Sequence, residues 1–253
     1  MKRLRPMDLA AILLSVTIIV GLCFALRPEV TATVTADPST VHVDRPQPPA
    51  ADAHPSVLFI GDSYTGGSGL KEMSYACMAA TRMGWLCNLS ALPGTGYISG
   101  GDANRFDIPR VGQSKSFAER IPLLATAYHP DVVILDGGRN DLFPRPDRVF
   151  LAMAGTIGEA HRAWPTATIV FIRPRFLANP GDDLGFNDAF FADLQAQPDA
   201  AGVTFIDPII RLTGIDTSAM LKTDGIHPNQ QGNQELSSAL FDSLSTTGFA
   251  PSM

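Results

Sequence analysis

From residue 57 onward, short continuous apolar runs alternate with longer stretches whose apolar positions recur at three- and four-residue spacing. The short runs are Val57–Ile60, Trp85–Leu89, Val132–Leu135, Thr168–Ile172 and Val203–Ile206. Their length and their Val, Ile and Phe content predict strands buried on both faces. The longer stretches, near Leu70–Met83, Phe117–Tyr128, Pro146–Ala163, Asp183–Gln197 and Asn229–Leu244, predict amphipathic helices. Strand alternating with helix implies a parallel sheet covered by helices on both faces. Pro93–Ser116 is Gly-rich and weakly periodic. It predicts a long loop, and loops of that size usually carry function.

Before residue 57 the pattern is different. Leu9–Leu26 is an uncharged apolar run of 18 residues preceded by Lys2, Arg3 and Arg5. As a helix it spans about 27 Å, enough for a hydrocarbon core. The basic flank predicts that this end stays in the cytoplasm. The expectation is a single-pass cell-membrane protein, anchored through residues 9–26, with its C-terminal domain extracytoplasmic. The alternative is a signal peptide whose cleavage yields a secreted protein, although no small-x-small site follows the run at the expected place. Pro28, Pro38, Pro46, Pro48, Pro49 and Pro55 rule out a continuous helix and predict an extended tether. The expected organisation is a basic tip and anchor or signal at 1–27, a tether at 28–56, a folded domain at 57–247 and a tail at 248–253.

Composition narrows the class. With 253 residues, 45% hydrophobic and 17% charged, there is room for one α/β domain plus an appendage, and disorder throughout is excluded. A net charge of −6 argues against a nucleic-acid partner. Three cysteines are too few for a disulfide scaffold or a four-thiolate zinc site. Cys77, on the first helix, and Cys87, in the second strand, are a candidate disulfide, because a helix packed on its neighbouring strand can bring the Cα atoms within roughly 4.4–6.8 Å. Two buried free thiols are the alternative. Nothing in the pattern speaks to oligomeric state.

In an open parallel sheet, ligands bind beyond the carboxyl ends of the strands. The polar residues that directly follow the strands are therefore the candidates. Gly61-Asp62-Ser63-Tyr64 follows the first strand: a serine on a strand-to-helix turn can expose its hydroxyl, and its N–H can meet an anion. Leu92-Pro93-Gly94-Thr95-Gly96 follows the second, where Gly94 or Gly96 can offer a backbone N–H at close range. Asp136-Gly137-Gly138-Arg139-Asn140-Asp141 follows the third, and an amide there can donate to a developing oxyanion. Asp224-Gly225-Ile226-His227-Pro228 follows the last strand, with Asp224 and His227 spaced so that the carboxylate can orient the imidazole. Each segment taken alone is also ordinary turn or cap chemistry. Of five histidines, His42 and His54 lie in the tether, and His129 and His161 precede strands. Only His227 is at the ligand-binding edge, so a two-metal site is poorly supported. Neither a Gly-x-x-x-x-Gly-Lys loop nor a Gly-x-Gly-x-x-Gly after the first strand is present, so no nucleotide cofactor is expected.

Together, Gly61-Asp62-Ser63, Gly94, Gly138-Arg139-Asn140-Asp141 and Asp224-Gly225-Ile226-His227 resemble, in order and spacing, the four blocks of the SGNH/GDSL hydrolases. The resemblance covers roughly residues 57–244. Its last block, backed by Pro228 and Gly232, is the most specific. Tyr64 stands where the name-giving motif has leucine. The resemblance implies a flavodoxin-like three-layer α/β sandwich with a five-stranded parallel sheet in the order 2-1-3-4-5, and ester hydrolysis with no metal or other cofactor. It implies Ser63 as nucleophile, His227 as general base, Asp224 as its orienting carboxylate, and an oxyanion hole from the N–H groups of Ser63 and Gly94 and the amide of Asn140. The implied activity is that of a serine esterase or lipase cleaving a carboxylic ester of an acylated envelope glycan, lipid or small molecule through an acyl-enzyme. The alternatives are an acyltransferase between envelope molecules and a glycan-binding domain without turnover. Arg173 and Arg175, after the fourth strand, are candidates for holding an anionic substrate group; two solvated loop arginines are the plainer reading.

Overall fold

A computed structural model describes residues 54–67, 70–143 and 145–251. The apolar run Leu9–Leu26 and the tether up to residue 53 lie outside the described residues. Among the described residues no helix is long and apolar enough to cross a membrane.

The apolar runs form strands because alternate residues enter different cores. β1 (Ser56–Gly61) and β5 (Val132–Asp136) sit side by side, with β6 (Thr168–Ile172) next to β5. Val57, Phe59, Val132, Ile134, Val170 and Ile172 pack into one cluster. Leu58, Ile60, Val133, Leu135, Ile169 and Phe171 pack into the other. The two-residue side-chain period feeds both layers, so these strands read as continuous apolar runs. β2 (Leu86–Ala91) pairs with β1 at one edge and β7 (Thr204–Ile206) with β6 at the other, all parallel.

In chain numbering the sheet order is β2-β1-β5-β6-β7, which differs from the expected 2-1-3-4-5. The difference is an antiparallel hairpin of β3 (Asp107–Ile108) and β4 (Gly112–Gln113), a separate sheet inside the region expected to be a loop. Strands of two residues are too short to show a period, so the pattern cannot announce them.

α2 (Tyr75–Arg82) and α6 (Gln230–Thr246) cover one face. α3 (Phe117–Ala127), α4 (Pro146–Ala163) and α5 (Asp188–Gln195) cover the other. The helix expected from Leu70 starts later, because the Ser74 hydroxyl accepts from the Cys77 N–H (3.2 Å) and caps α2 behind a short 3₁₀ turn. The helix expected from Asp183 likewise waits for Asn187, whose side chain accepts from the Phe190 N–H (3.0 Å). Phe249, assigned to the tail, packs edge-on against Trp85, with ring centroids 5.5 Å apart.

Cys77 on α2 and Cys87 on the edge strand β2 are joined by a disulfide, with Cα atoms 5.4 Å apart. It ties the half-covered edge of the sheet to the helix above it. Closing a loop of 10 residues is worth about 2–3 kcal/mol in the chain-entropy picture, or roughly 5–10 °C in Tm for a domain of this size. Thermal unfolding of a Cys77→Ala/Cys87→Ala variant against the oxidised protein checks this, and coincident transitions would show the bridge to be neutral.

Candidate active site

Gly61 ends β1, and the chain turns at once into α1 (Ser63–Gly66). A Cβ on Gly61 would lie 2.0 Å from the Thr65 hydroxyl oxygen, so the turn closes this tightly only around glycine. Asp62 caps the short helix: its carboxylate accepts from the Tyr64 N–H (2.8 Å), and the Thr65 hydroxyl accepts from the Asp62 N–H (3.2 Å). Ser63 is thereby fixed as the first helical residue. Among the described residues its N–H has no internal acceptor. Its Oγ lies 2.9 Å from His227 Nε2.

His227 arrives from the segment between β7 and α6. Asp224 Oδ1 accepts from the backbone N–H of Ile226 and of His227, both at 2.9 Å, while Oδ2 lies 2.8 Å from His227 Nδ1. Those backbone donors, and then the imidazole, hold the Asp224 carboxyl at about 2. It stays ionised wherever the fold is used, so Nδ1–H is given to the carboxylate and Nε2 is left to accept the Ser63 proton. The segment is fastened by Lys222 N–H to His227 C=O (2.8 Å) and Asn229 N–H to Met220 C=O (2.8 Å).

Two neighbouring loops bring the other candidate donors, Gly94 or Gly96 and Asn140, to the same edge of the sheet. Gly96 donates its N–H to the Ser99 carbonyl (2.9 Å), so it has no donor to spare. Gly94, at φ 71°, has no internal acceptor for its N–H among the described residues. That leaves Gly94, of the two glycines, able to donate to a ligand. Asn140 donates its amide to the Thr95 carbonyl (2.9 Å) and, over a longer contact, towards Asp62 (3.4 Å). The second hydrogen is weakly held and can turn to a nearby oxyanion. Asp141 locks the two loops together: its carboxylate accepts from the N–H groups of Tyr97, Ile98 and Ser99 at 2.8, 3.1 and 2.8 Å.

Several residues that brace the site carry no assigned role in the sequence alone. Under Ser63 lies a buried polar cluster in which Asp136 accepts from Thr65 (2.6 Å), from the Tyr75 hydroxyl and from Arg139 (3.0 Å). Arg139 also approaches Asp62 at 3.7 Å. Burial, helped by Asp136, raises the Asp62 carboxyl against the pull of Arg139. Tyr64, where the motif has leucine, donates its hydroxyl to the Ile226 carbonyl (2.7 Å) and accepts from the Leu177 N–H (2.9 Å). It couples the helix that carries Ser63 to the segment that carries His227. The one cue in the sequence was that departure at Tyr64.

Arg173 and Arg175 are both engaged by groups of the protein itself. Arg175 is buried, and its guanidinium is spent on Asp207 (2.8 Å) and on the carbonyls of Pro180 and Asp182. Arg173 is spent on Asp188 (2.6 Å) and the Phe186 carbonyl (2.9 Å). Both guanidiniums brace the loops after β6.

The arrangement suits attack by a hydroxyl on a carbonyl, with a base at 2.9 Å and donors from two further loops. Removing the amide with Asn140→Ala is expected to lower kcat by about 10²–10³-fold with little change in KM; near-normal kcat in the folded variant would take Asn140 out of the site. Tyr64→Phe keeps the ring and loses the tie to Ile226. Steady-state kinetics and fluorophosphonate labelling of Ser63 should both slow by roughly 3–10-fold at unchanged KM, whereas a purely structural tyrosine would shift Tm alone.

Comparison with known proteins identifies the family. Residues 59–235 match the GDSL-like Lipase/Acylhydrolase family. The chain is 30% identical over 196 residues to GDSL lipase Rv0518 of Mycobacterium tuberculosis (strain ATCC 25618 / H37Rv), covering 71% of this chain and 77% of that one. Among solved structures, the psychrotrophic esterase EstA from Pseudoalteromonas sp. superposes with a TM-score of 0.56 at 15% identity, over 76% of this chain and 97% of that one. Est24, a carbohydrate acetylesterase from Sinorhizobium meliloti, does so with a TM-score of 0.55 at 20% identity, over 76% and 99%. The structural likenesses establish the fold, and the match along the sequence establishes the family. The chain belongs to the GDSL/SGNH lipase-acylhydrolase family and is an ester-cleaving hydrolase.

Proposed function

We propose that the protein is a serine esterase that hydrolyses a carboxylic ester of an acylated envelope glycan, lipid or small molecule through an acyl-enzyme. The observation that carries this reading is the hydrogen-bonded line Ser63–His227–Asp224, with separations of 2.9 and 2.8 Å. Ser63 attacks the ester carbonyl while His227 takes its proton. The oxyanion is met by the N–H groups of Ser63 and Gly94 and the amide of Asn140. His227 then protonates the departing alcohol, and a water activated by the same imidazole releases the acid. Hydrolysis is favoured over transfer to a second alcohol by the openness of the base: the side chains of His227 and Asp224 are 32% and 45% exposed, so water reaches the acyl-enzyme freely. Residues 9–26 hold the domain at the outer face of the cell membrane in this reading. The Cys77–Cys87 bridge agrees with it, since such bonds persist outside the reducing cytoplasm.

A p-nitrophenyl ester series from acetate to palmitate, run with chelator present, tests the proposal. Turnover is expected to persist with the chelator and to vanish in Ser63→Ala; full activity in that variant, or chelator-sensitive turnover, overturns the mechanism. Run on material that protease releases from intact spheroplasts, the same assay reads topology, and activity protected inside the cell reverses the orientation.

A further inference from the structure

A cavity of about 500 Å³ opens beside the Asn140 loop, lined by Ile98, Ala103, Phe143, Arg145, Arg148 and Leu151. Its size is that of a small-molecule site. It adjoins the anion-binding donors through the chain itself. Phe143 is three residues past Asn140, and the Ile98 N–H is held by Asp141, the residue that locks the two oxyanion loops together (3.1 Å).

Two features of this cavity are not explained by folding. First, Phe143 and Leu151 leave 63% and 69% of their surface in water. Second, the cavity holds two cations on a chain of net charge −6. Arg145 precedes α4 and Arg148 lies in its first turn. That end of a helix already carries positive partial charge, and a cation there opposes the dipole. Arg145 has an exposed ion pair with Asp147 (2.9 Å), and Arg148 has no ion pair among the described residues. A site for a small neutral acyl group requires neither the apolar wall nor the arginines.

Resting on the esterase reading, we infer that this cavity binds an apolar segment of the substrate that also carries an anionic group, a carboxylate or a phosphate, so that the natural ester belongs to an anionic amphiphile. The apolar segment covers Phe143 and Leu151. The anion is met by Arg148 and, after exchange from Asp147, by Arg145, whose planar donors suit either oxyanion. A carboxylate places the charge on the acyl side of the ester, a phosphate on the alcohol side.

The test compares matched esters on the full chain in detergent. One pair is the p-nitrophenyl half-ester of glutarate against p-nitrophenyl valerate; the other is a medium-chain 1-acylglycerol 3-phosphate against the same monoacylglycerol. In Arg148→Gln and in Arg145→Gln/Arg148→Gln, the ratio of kcat/KM for the anionic over the neutral ester should fall by about 10–30-fold in at least one pair, as expected for loss of a charged hydrogen bond. The pair that responds identifies the carboxylate or the phosphate source. Ratios within twofold of wild type in both pairs overturn the inference. Binding of dodecyl phosphate and of dodecanedioate to the Ser63→Ala protein separates the two readings. Arg148-dependent binding without turnover of any ester by the wild type keeps the cavity and removes the esterase reading; ester turnover with Arg148-independent binding does the reverse.

Discussion

The buried carboxylate of Asp136 is the point on which the catalytic edge hangs. It sits at the end of β5 with no exposed surface. The Thr65 hydroxyl of α1, the Tyr75 hydroxyl of α2 and the Arg139 guanidinium all donate to it. One buried carboxylate therefore positions the Ser63 turn, the first full helix and the loop that carries Asn140. Arg139 goes further, giving a hydrogen bond to the Arg175 carbonyl (2.8 Å) and lying over the Tyr64 ring, 4.5 Å from its centroid. Burial opposes its charge, but Asp136 and Asp62 outweigh that and hold it well above the ordinary guanidinium range. Taking one partner out of such a buried pair typically costs about 3–5 kcal/mol, because the other is left charged and dry.

The sheet sets where this cluster can be. Its central strands are sealed on both faces, so reactive groups have room only where strands end and loops begin. Ser63, Gly94, Asn140 and His227 each come from a different strand-end loop, and each loop has its own brace: the Asp62 cap, the Asp141 clamp, the Arg139 pair and the Asp224 turn. Tight positioning here is built from local turns tied crosswise, with long side chains from the core doing the tying.

Much of this was legible in the chain. Val57–Ile60 and Val132–Leu135 announce central strands because both faces are buried, and the catalytic candidates follow from standing directly after such runs. What stayed hidden is what depends on residues distant in sequence. Asp136 and Arg139 look like turn residues until Thr65 and Tyr75 are folded onto them. Arg120 looks like a solvated helix charge; it is buried against the carbonyls of Ser90 (2.7 Å) and Gly61 (3.0 Å), and burial pushes it down to about 10. Arg173 and Arg175 stand at the right edge for substrate, but Asp188 and Asp207 return from later in the chain to claim them. Gly94 and Gly96 are both open as donors in the sequence, and the Ser99 carbonyl, returning in the fold, occupies the N–H of Gly96.

The histidine's segment differs in kind from its partners. Ser63 leaves a strand sealed in the core, whereas residues 223–226 are exposed and held by a few backbone bonds and the Tyr64 hydroxyl. Segments fastened in this way open locally at a lower free energy than the fold as a whole. Separate thermal limits for catalysis and for foldedness are the expected consequence. On warming, His227 is expected to drift from Ser63 while the sheet is still intact, so that activity fades ahead of the melting transition and returns on cooling as long as the core has not opened.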